Sequence, residues 1–332
     1  MNISDIAALA GVSKAAVSRY FNDGYLSEEK RAAIERAVRE TGYTPNVQAQ
    51  TLRTRRSGQI GVVIPRLSSE SVARVTDGIS QVLSERGYQL ILATTANDPA
   101  KEVEYLDLLR HHHVEGVIFL ASIFTPDHER ILQNMHIPVV IVGQEYGGCS
   151  CIYHDDRGAA KALTALMLAH GARRPACIGV TKRDRAAGAE RCAGFLDALR
   201  EAGIEPRERD MVCADFSIDS GYEKAGELLD APEAPDALFC ATDNIAAGAL
   251  TACLEHGLRV PEDIMLCGVG DSKMGRVTAV PLTSAHLYYR TAGEEAARLL
   301  LAQIRRHAPG GSRSLRLGYE IVERGSTRRN DE

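Results

Sequence analysis

The first forty residues set apolar positions at helical spacing. Ile3, Ile6, Ala7 and Ala10 share one face behind the polar starters Ser4 and Asp5. Gly11-Val12-Ser13 then interrupts the pattern: glycine accepts a positive φ, and Ser13 is placed to cap the next helix. That second helix is predicted from Lys14 to Asn22, burying Val17 and Phe21 and leaving Lys14, Ala15, Ser18 and Arg19 outward. A third runs from Ser27 through Ile34, Ala37 and Val38 to Thr41, its first turn acidic behind a serine cap. Two short helices joined by a tight glycine turn make a helix-turn-helix, whose second helix fits the major groove of DNA. A generic three-helix bundle would share the periodicity. The outward Lys14 and Arg19 beside the short turn favour DNA.

From residue 58 the rhythm changes to β-type and helix-type segments in alternation. Strands are predicted at 60–64, 88–94, 116–120, 139–142, 176–180, 211–214, 237–241 and 264–269. Amphipathic stretches at 72–86, 101–113, 155–170, 187–202 and 245–256 separate them. Such βα alternation implies parallel sheets with helices on both faces. So many strands exceed one open sheet, and a break near residue 156 divides them into two similar lobes. Ligands in these folds bind beyond the carboxyl ends of the strands, here between the lobes.

Charge sharpens this division. The net charge is −5, yet residues 1–57 carry nine Lys/Arg against six Asp/Glu, and the remainder balances at −8. A small basic head on a larger acidic body suits a nucleic-acid-binding module fused to a soluble domain, though a solvated face would carry the same charge. No apolar run reaches the ~20 residues that span a bilayer, so no membrane partner is expected. MNISDIAALAGVSK has no basic leader or apolar core of a secretory signal, and a cytoplasmic location is expected.

The eight cysteines form no CxxC pair or zinc-spaced cluster, and most lie inside apolar runs as buried thiols. His111–His113 end a helix and read as solvated, not metal-binding. No Walker loop, GxSxG elbow or HExxH occurs, and Gly268-Val-Gly270 lacks the rest of a dinucleotide loop. Asp155-Asp156 and Asp271 suggest a metal only weakly, since a helix start accounts for the pair. No catalysis, metal or cofactor is expected.

The run Ile3-Ser-Asp-Ile-Ala-Ala-Leu-Ala-Gly-Val-Ser13, with Val17-Ser-Arg19, Asn22, Gly42-Tyr-Thr-Pro-Asn46 and Ile60-Gly-Val-Val, resembles the lactose-repressor (LacI/GalR) transcription regulators over essentially the whole chain. Pro65-Arg-Leu67, Cys151-Ile-Tyr-His-Asp-Asp-Arg-Gly158 and Cys240-Ala-Thr-Asp243 are similar to trehalose and sucrose operon repressors within that family. The resemblance implies a small all-α helix-turn-helix head (1–44), a hinge helix or linker (45–57) and an α/β periplasmic-binding-protein-like body (58–332). That body has two doubly wound lobes, about 58–156 plus 286–316 and 157–285 plus 317–325.

In the family, Lys14, Ala15 and Arg19 match base-edge positions. Arg19 can pair bidentately with guanine, whereas Ala15 offers only a methyl. Ser13 and Ser18 suit phosphate contacts. Asn46, Leu52 and Arg53 fall on the hinge, where a leucine wedge enters the minor groove. Taken alone, Leu52 reads as part of a flexible basic linker; in register with the motif it takes the wedge position.

The resemblance places Arg66, Ser71, Ser122, Gln144, Arg191, Phe216, Thr242, Asp243, Tyr288 and Tyr289 at the effector cleft. Arg191 matches an arginine that grips sugar hydroxyls or an anion, and Phe216 an aromatic that packs on a sugar ring. Arg66 fits either a phosphate clamp shared with Arg191 or a solvated loop. Gln144 stands where the trehalose repressor has arginine, and Gly270 replaces a common aspartate.

The expected function is a repressor of a carbohydrate-use operon. It reads a pseudo-palindromic operator as a homodimer, since no leucine-heptad tail is present. Sucrose 6-phosphate or trehalose 6-phosphate is the preferred effector; a free sugar and a corepressor such as a purine stay open. A sugar-transport protein would share the lobes but not the head.

Overall fold

The computed structural model describes residues 1–22, 24–43, 57–306 and 311–328. The chain divides into two compact units, Met1–Ser57 and Gly58–Glu332. The segment 44–56, with Asn46, Leu52 and Arg53, lies outside the described residues.

The first unit contains α1 (Ile3–Leu9), α2 (Lys14–Phe21) and α3 (Glu28–Thr41). The cap of α1 is Asn2, earlier than the polar starters suggest. Its side chain accepts from the Ser4 and Asp5 amides while Asp5 accepts from the Asn2 amide, a reciprocal capping box. Gly11, at φ +64°, makes the turn into α2, and Ser13 Oγ caps that helix by accepting from the Ala16 amide at 3.2 Å. Ser27 stands at the cap of α3 but makes no side-chain capping bond, so Glu28 and Glu29 supply the favourable charge at that end. Ile6, Ala7, Ala16, Val17, Ile34 and Ala37 close the core.

Among the described residues the second unit has two six-stranded sheets. The first contains β1 (Gln59–Ile64), β2 (Gln89–Thr94), β3 (Gly116–Leu120), β4 (Val139–Val142), β5 (Ser150–His154) and β11 (Ser314–Leu317). Their spatial order is β11-β5-β4-β3-β1-β2, all parallel. The second contains β6 (Pro175–Gly179), β7 (Met211–Cys213), β8 (Ala237–Cys240), β9 (Met265–Val269), β10 (Thr283–Leu287) and β12 (Tyr319–Val322). Its order is β12-β10-β9-β8-β6-β7, with only β12 antiparallel to its neighbour. Four of these strands, β5, β10, β11 and β12, go beyond the eight predicted.

The helices of the first lobe are α4 (Glu70–Glu85), α5 (Pro99–His111) and α6 (Pro126–Gln133). Those of the second are α7 (Asp156–Ala169), α8 (Arg191–Glu201), α9 (Ile218–Leu229) and α10 (Asp243–Glu255). Helix α11 (Tyr289–Arg306) returns to the first lobe, where Ala292, Ala296 and Leu300 join the core of Ile60, Val62 and Ile79. It packs so closely on α4 that a methyl on Gly78 would fall on the Arg290 carbonyl oxygen, and one on Gly293 on that of Val75. Cys151, Cys177, Cys192, Cys240, Cys253 and Cys267 are buried, but Cys213 is exposed. Burial pushes the Cys253 thiol up to about 12. The exposed His111–His113 close α5.

The chain passes between sheets three times: from β5 to α7, from β10 to α11 and from β11 to β12. Buried Arg191 ties the first two passages together. Its Nε donates to Asp156 Oδ1 at 2.8 Å, its Nη2 lies 2.7 Å from the same oxygen, and its Nη1 donates to the Ala241 carbonyl. Asp156 lies just past the first passage and Tyr289, whose hydroxyl is also a partner, just past the second. Burial alone would lower the guanidinium pKa, but the charge of Asp156 and the Tyr289 oxygen raise it, so Arg191 is a permanent cation.

Removing one partner of a buried pair strands the other charge. Arg191→Met is therefore expected to cost about 3–5 kcal/mol in urea unfolding. Arg191→Met with Asp156→Leu should recover most of that loss, since neither charge is then left alone. A double variant as unstable as the single one would show that packing, not charge, holds the junction.

Candidate functional site

The first unit presents a polar face along α2. Ser13, Lys14, Ala15 and Arg19 are exposed and Ser18 is half-buried, while Ala16 and Val17 face the core. Helical periodicity separates these two sets. Accepting from the Ala16 amide leaves the Ser13 hydroxyl its own hydrogen to donate, which suits a phosphate oxygen. Asn22 Nδ2 donates to the Ser18 carbonyl at 2.6 Å and finishes the helix beside Arg19. This face offers two exposed cations, hydroxyls and a small apolar side chain on one short helix.

In the second unit a cavity of about 200 Å³ opens between the lobes. Most of its wall comes from residues just past strand ends: Arg66 after β1, Ser122 after β3, Gly143 after β4, Asp184 after β6, Phe216 after β7, Asp243 after β8 and Gly270 after β9. Parallel strands bring their carboxyl ends to one edge, so distant residues meet there. Arg66, Ser71, Ser122, Arg191, Phe216, Thr242, Asp243 and Tyr289 are all brought to this wall.

Gln144 and Tyr288 are not. Gln144 is buried behind the wall, donating from Nε2 to the Ser122 carbonyl at 2.9 Å, and Tyr288 is exposed with its ring edge-on to His286. Thr242 caps α10 by accepting from the Ile245 amide, so its oxygen is partly committed. Ser122 Oγ donates to the buried Glu102, which also bonds His128, and this fixes the hydroxyl from behind.

The three cavity arginines differ. Arg191 is neutralised by Asp156. Arg74 pairs with Glu70 at 2.6 Å. Arg66 has its guanidinium 4.5 Å from the centre of the Phe216 ring, and its Nε is buried with no hydrogen-bond partner among the described residues. Burial lowers its pKa against the opposing pull of Asp215 and Asp184. Phe216 is thus first of all a platform for the guanidinium.

Two carboxylates on the wall are buried enough to hold their protons more tightly than usual. Asp184 is raised by burial, partly offset by the Ala187 amide and Arg191. Asp243 is raised by burial against bonds from Ser272 and Ser284. His154, at the end of β5, also lines the cavity; its Nε2 has no partner among the described residues, and its pKa is lowered by burial.

Glu70, Arg74, His154, Asp156, Asp184 and Ser272 are site residues that sequence reasoning misses. Asp155-Asp156 is legible as a helix start, and Asp155 is the cap of α7, accepting from the Gly158 amide. The partner of Asp156 lies 35 residues away. Asp184 sits in the charged run Thr-Lys-Arg-Asp-Arg, which reads as solvent-facing. In the fold it caps the π-helical stretch Arg185–Glu190 that leads into Arg191.

Residues 2–46 match the family of bacterial regulatory proteins of the lacI type, and residues 164–327 match the periplasmic binding protein-like domain. The sucrose operon repressor of Staphylococcus xylosus is 31% identical over 89% of this chain and 91% of its own length. Among solved structures, a transcriptional regulator CelR–cellobiose complex is 31% identical with a TM-score of 0.76, covering 98% of this chain and 99% of that one. The lac repressor dimer bound to operator and an anti-inducer matches in fold with a TM-score of 0.89 at 24% identity, over 98% and 99% of the two chains. The head and the two-lobed body, with this identity to a named operon repressor along most of the chain, place the protein in the LacI family of DNA-binding transcriptional repressors.

Proposed function

We propose that this repressor governs a carbohydrate-use operon, and that a neutral saccharide in the interlobe cavity releases it from its operator. The observation that carries the effector class is the charge pairing of the cavity wall. Arg66, Arg74 and Arg191 face Glu70, Asp156, Asp184 and Asp243, and two of the three arginines already hold carboxylates. A phosphate dianion would find only Arg66, with Asp184 and Asp215 beside it. The two-arginine clamp expected for a sugar 6-phosphate is therefore spent. Uncharged hydroxyls instead suit a wall that alternates donors and acceptors: Arg66 to donate, Asp184 and Asp243 to accept. The names of the sucrose operon repressor and of the CelR–cellobiose complex support a disaccharide.

One observation favours the phosphorylated alternative: the buried Arg66 Nε lacks a partner among the described residues, and an oxyanion would satisfy it.

On DNA, Arg19 is the base-reading residue, with Lys14 and Ala15 beside it and Ser13 and Ser18 on phosphates. Asn46, Leu52 and Arg53 belong to the hinge reading. Two heads on a homodimer would read a pseudo-palindrome. Effector binding shifts the equilibrium only if its affinity differs between the operator-bound and released states.

Anisotropy of a labelled fragment from upstream of its own gene, at fixed salt, tests the reading. Sucrose, cellobiose or trehalose should release the DNA at concentrations at least about tenfold below those of its 6-phosphate, a difference of about 1.4 kcal/mol. Arg66→Met should weaken that response while leaving operator affinity intact. Release by a 6-phosphate alone would overturn the neutral-sugar assignment, and tightening by a purine would reverse its sign.

Arg19→Ala is expected to lose about 1–3 kcal/mol of discrimination between operator and unrelated DNA. Saccharide binding should be unchanged, as calorimetry would show. Retained operator preference would move base reading to other residues.

A further inference from the structure

Beyond the cavity's ligand chemistry, one set of bonds crosses between the lobes at its rim. Glu70 and Arg74 lie one turn apart on the first turns of α4, in the first lobe, and both line the cavity. Opposite them is the loop that leaves β9 in the second lobe. Arg74 Nη1 donates to the Gly270 carbonyl at 3.1 Å and Nη2 to the Asp271 carbonyl at 2.8 Å. The Lys273 amide donates back across the gap to Glu70 Oε2 at 3.1 Å. The intrahelical ion pair, at 2.6 Å, orients both side chains toward the loop.

The loop is held in a shape that makes this possible. Gly270 has φ +136°, and Asp271 adopts a left-handed φ of +47°. That conformation is uncommon for a residue with a side chain, though aspartate tolerates it better than most. Asp271 keeps it through a buried carboxylate bound by Arg324, Arg276 and His286, while its amide donates to Ser284 Oγ. The carbonyls of Gly270 and Asp271 consequently meet one guanidinium.

The next residue connects the loop to the cavity. The Ser272 amide donates to Asp243 Oδ2 at 2.5 Å, and Ser284 Oγ donates to Asp243 Oδ1 at 2.6 Å. Asp243 lines the cavity. Each of its oxygens therefore already accepts one bond from the framework that shapes the loop.

We propose that Glu70 and Arg74 form a strap holding the lobes together at the rim of the cavity, and that an effector hydroxyl releases it by drawing Asp243 Oδ2 away from the Ser272 amide. This rests on the saccharide reading above only for its second half. The strap itself stands on bonds within the chain alone. It joins two backbone carbonyls and one backbone amide of one lobe to a paired Glu and Arg of the other. Losing Ser272 frees the loop to turn, and a turned loop cannot keep two carbonyls on Arg74. Asp243 becomes the residue through which cavity occupancy is read, and Arg74 the one through which it is transmitted to the other lobe.

Hydrogen-exchange mass spectrometry on the full chain tests both halves. In Arg74→Met the amides of Ser272 and Lys273 should exchange at least about tenfold faster, with peptides from β1 and α10 unchanged. Unchanged loop exchange overturns the strap. Should Arg74→Met loosen the whole body, Glu70→Gln supplies the same test, because it leaves the helix intact and removes the charge opposite Arg74.

For the second half, sucrose, cellobiose, trehalose and their 6-phosphates are added to the wild type. Protection of the peptide over residues 66–72 reports occupancy. Faster exchange of the 270–275 loop should accompany it. Occupancy with an unchanged loop overturns the release mechanism and leaves the saccharide reading standing. Absence of protection by every sugar removes the saccharide reading and the release step together, while Arg74→Met still decides the strap.

Discussion

The body depends on one buried cation. Arg191 bonds a carboxylate just past the first passage between lobes, a phenol just past the second, and the carbonyl of Ala241 past the end of β8. A guanidinium presents its donors in a fixed planar fork, so three partners are held in one geometry that a lysine could not define. Burying it is costly unless its charge is answered. The answer comes from Asp156, itself buried, and neither residue is tolerable in that environment without the other. Both also line the cavity. The group that fixes where the chain crosses thus fixes part of the surface a ligand meets, and any ligand works beside a charge already balanced.

That balance decides what the remaining residues can do. A second unpaired arginine beside Arg66 would have made the cavity an anion site. With Arg191 held by Asp156 and Arg74 by Glu70, the positive potential falls to Arg66, which is flanked by Asp184 and Asp215 and pressed against Phe216. What is left is a mixture of donors and acceptors, three guanidiniums facing four carboxyl groups. On the proposed saccharide reading such a wall would select by hydrogen-bond geometry, because a hydroxyl that fails to meet its partner leaves a buried polar group unsatisfied.

How much of this is legible in the sequence depends on the range of the interaction. The three helices of the head follow from local spacing, and so does their exposed face, because a period of 3.6 alone separates Ala16 and Val17 from Lys14 and Arg19. The strands of apolar residues, such as 60–64 and 139–142, are equally plain. β5, with Ser150, Tyr153 and His154, and the edge strands β11 and β12 are not; they are short and polar and acquire strand character only from their neighbours. The cap of α1 at Asn2, ahead of the polar starters Ser4 and Asp5, is similar in kind, since capping is settled by bonds and not by residue type alone.

The site divides along the same line. Arg66, Arg191, Phe216 and Asp243 are visible because a family pattern marks them, but their partners are not. Asp156 is 35 residues from Arg191, and Gly270 is 196 residues from Arg74. Parallel topology brings them together, and nothing in a local window records it. An arginine read without its partner invites an anion. The same arginine with Asp156 beside it is one half of a balanced ion pair, with no charge left over for a ligand. For a two-lobed regulator this matters doubly, because the ion pairs that set ligand chemistry lie among the bonds that hold the lobes. A ligand with equal affinity for both arrangements of the lobes occupies the cavity without shifting any equilibrium; one whose affinity differs between them acts as a signal.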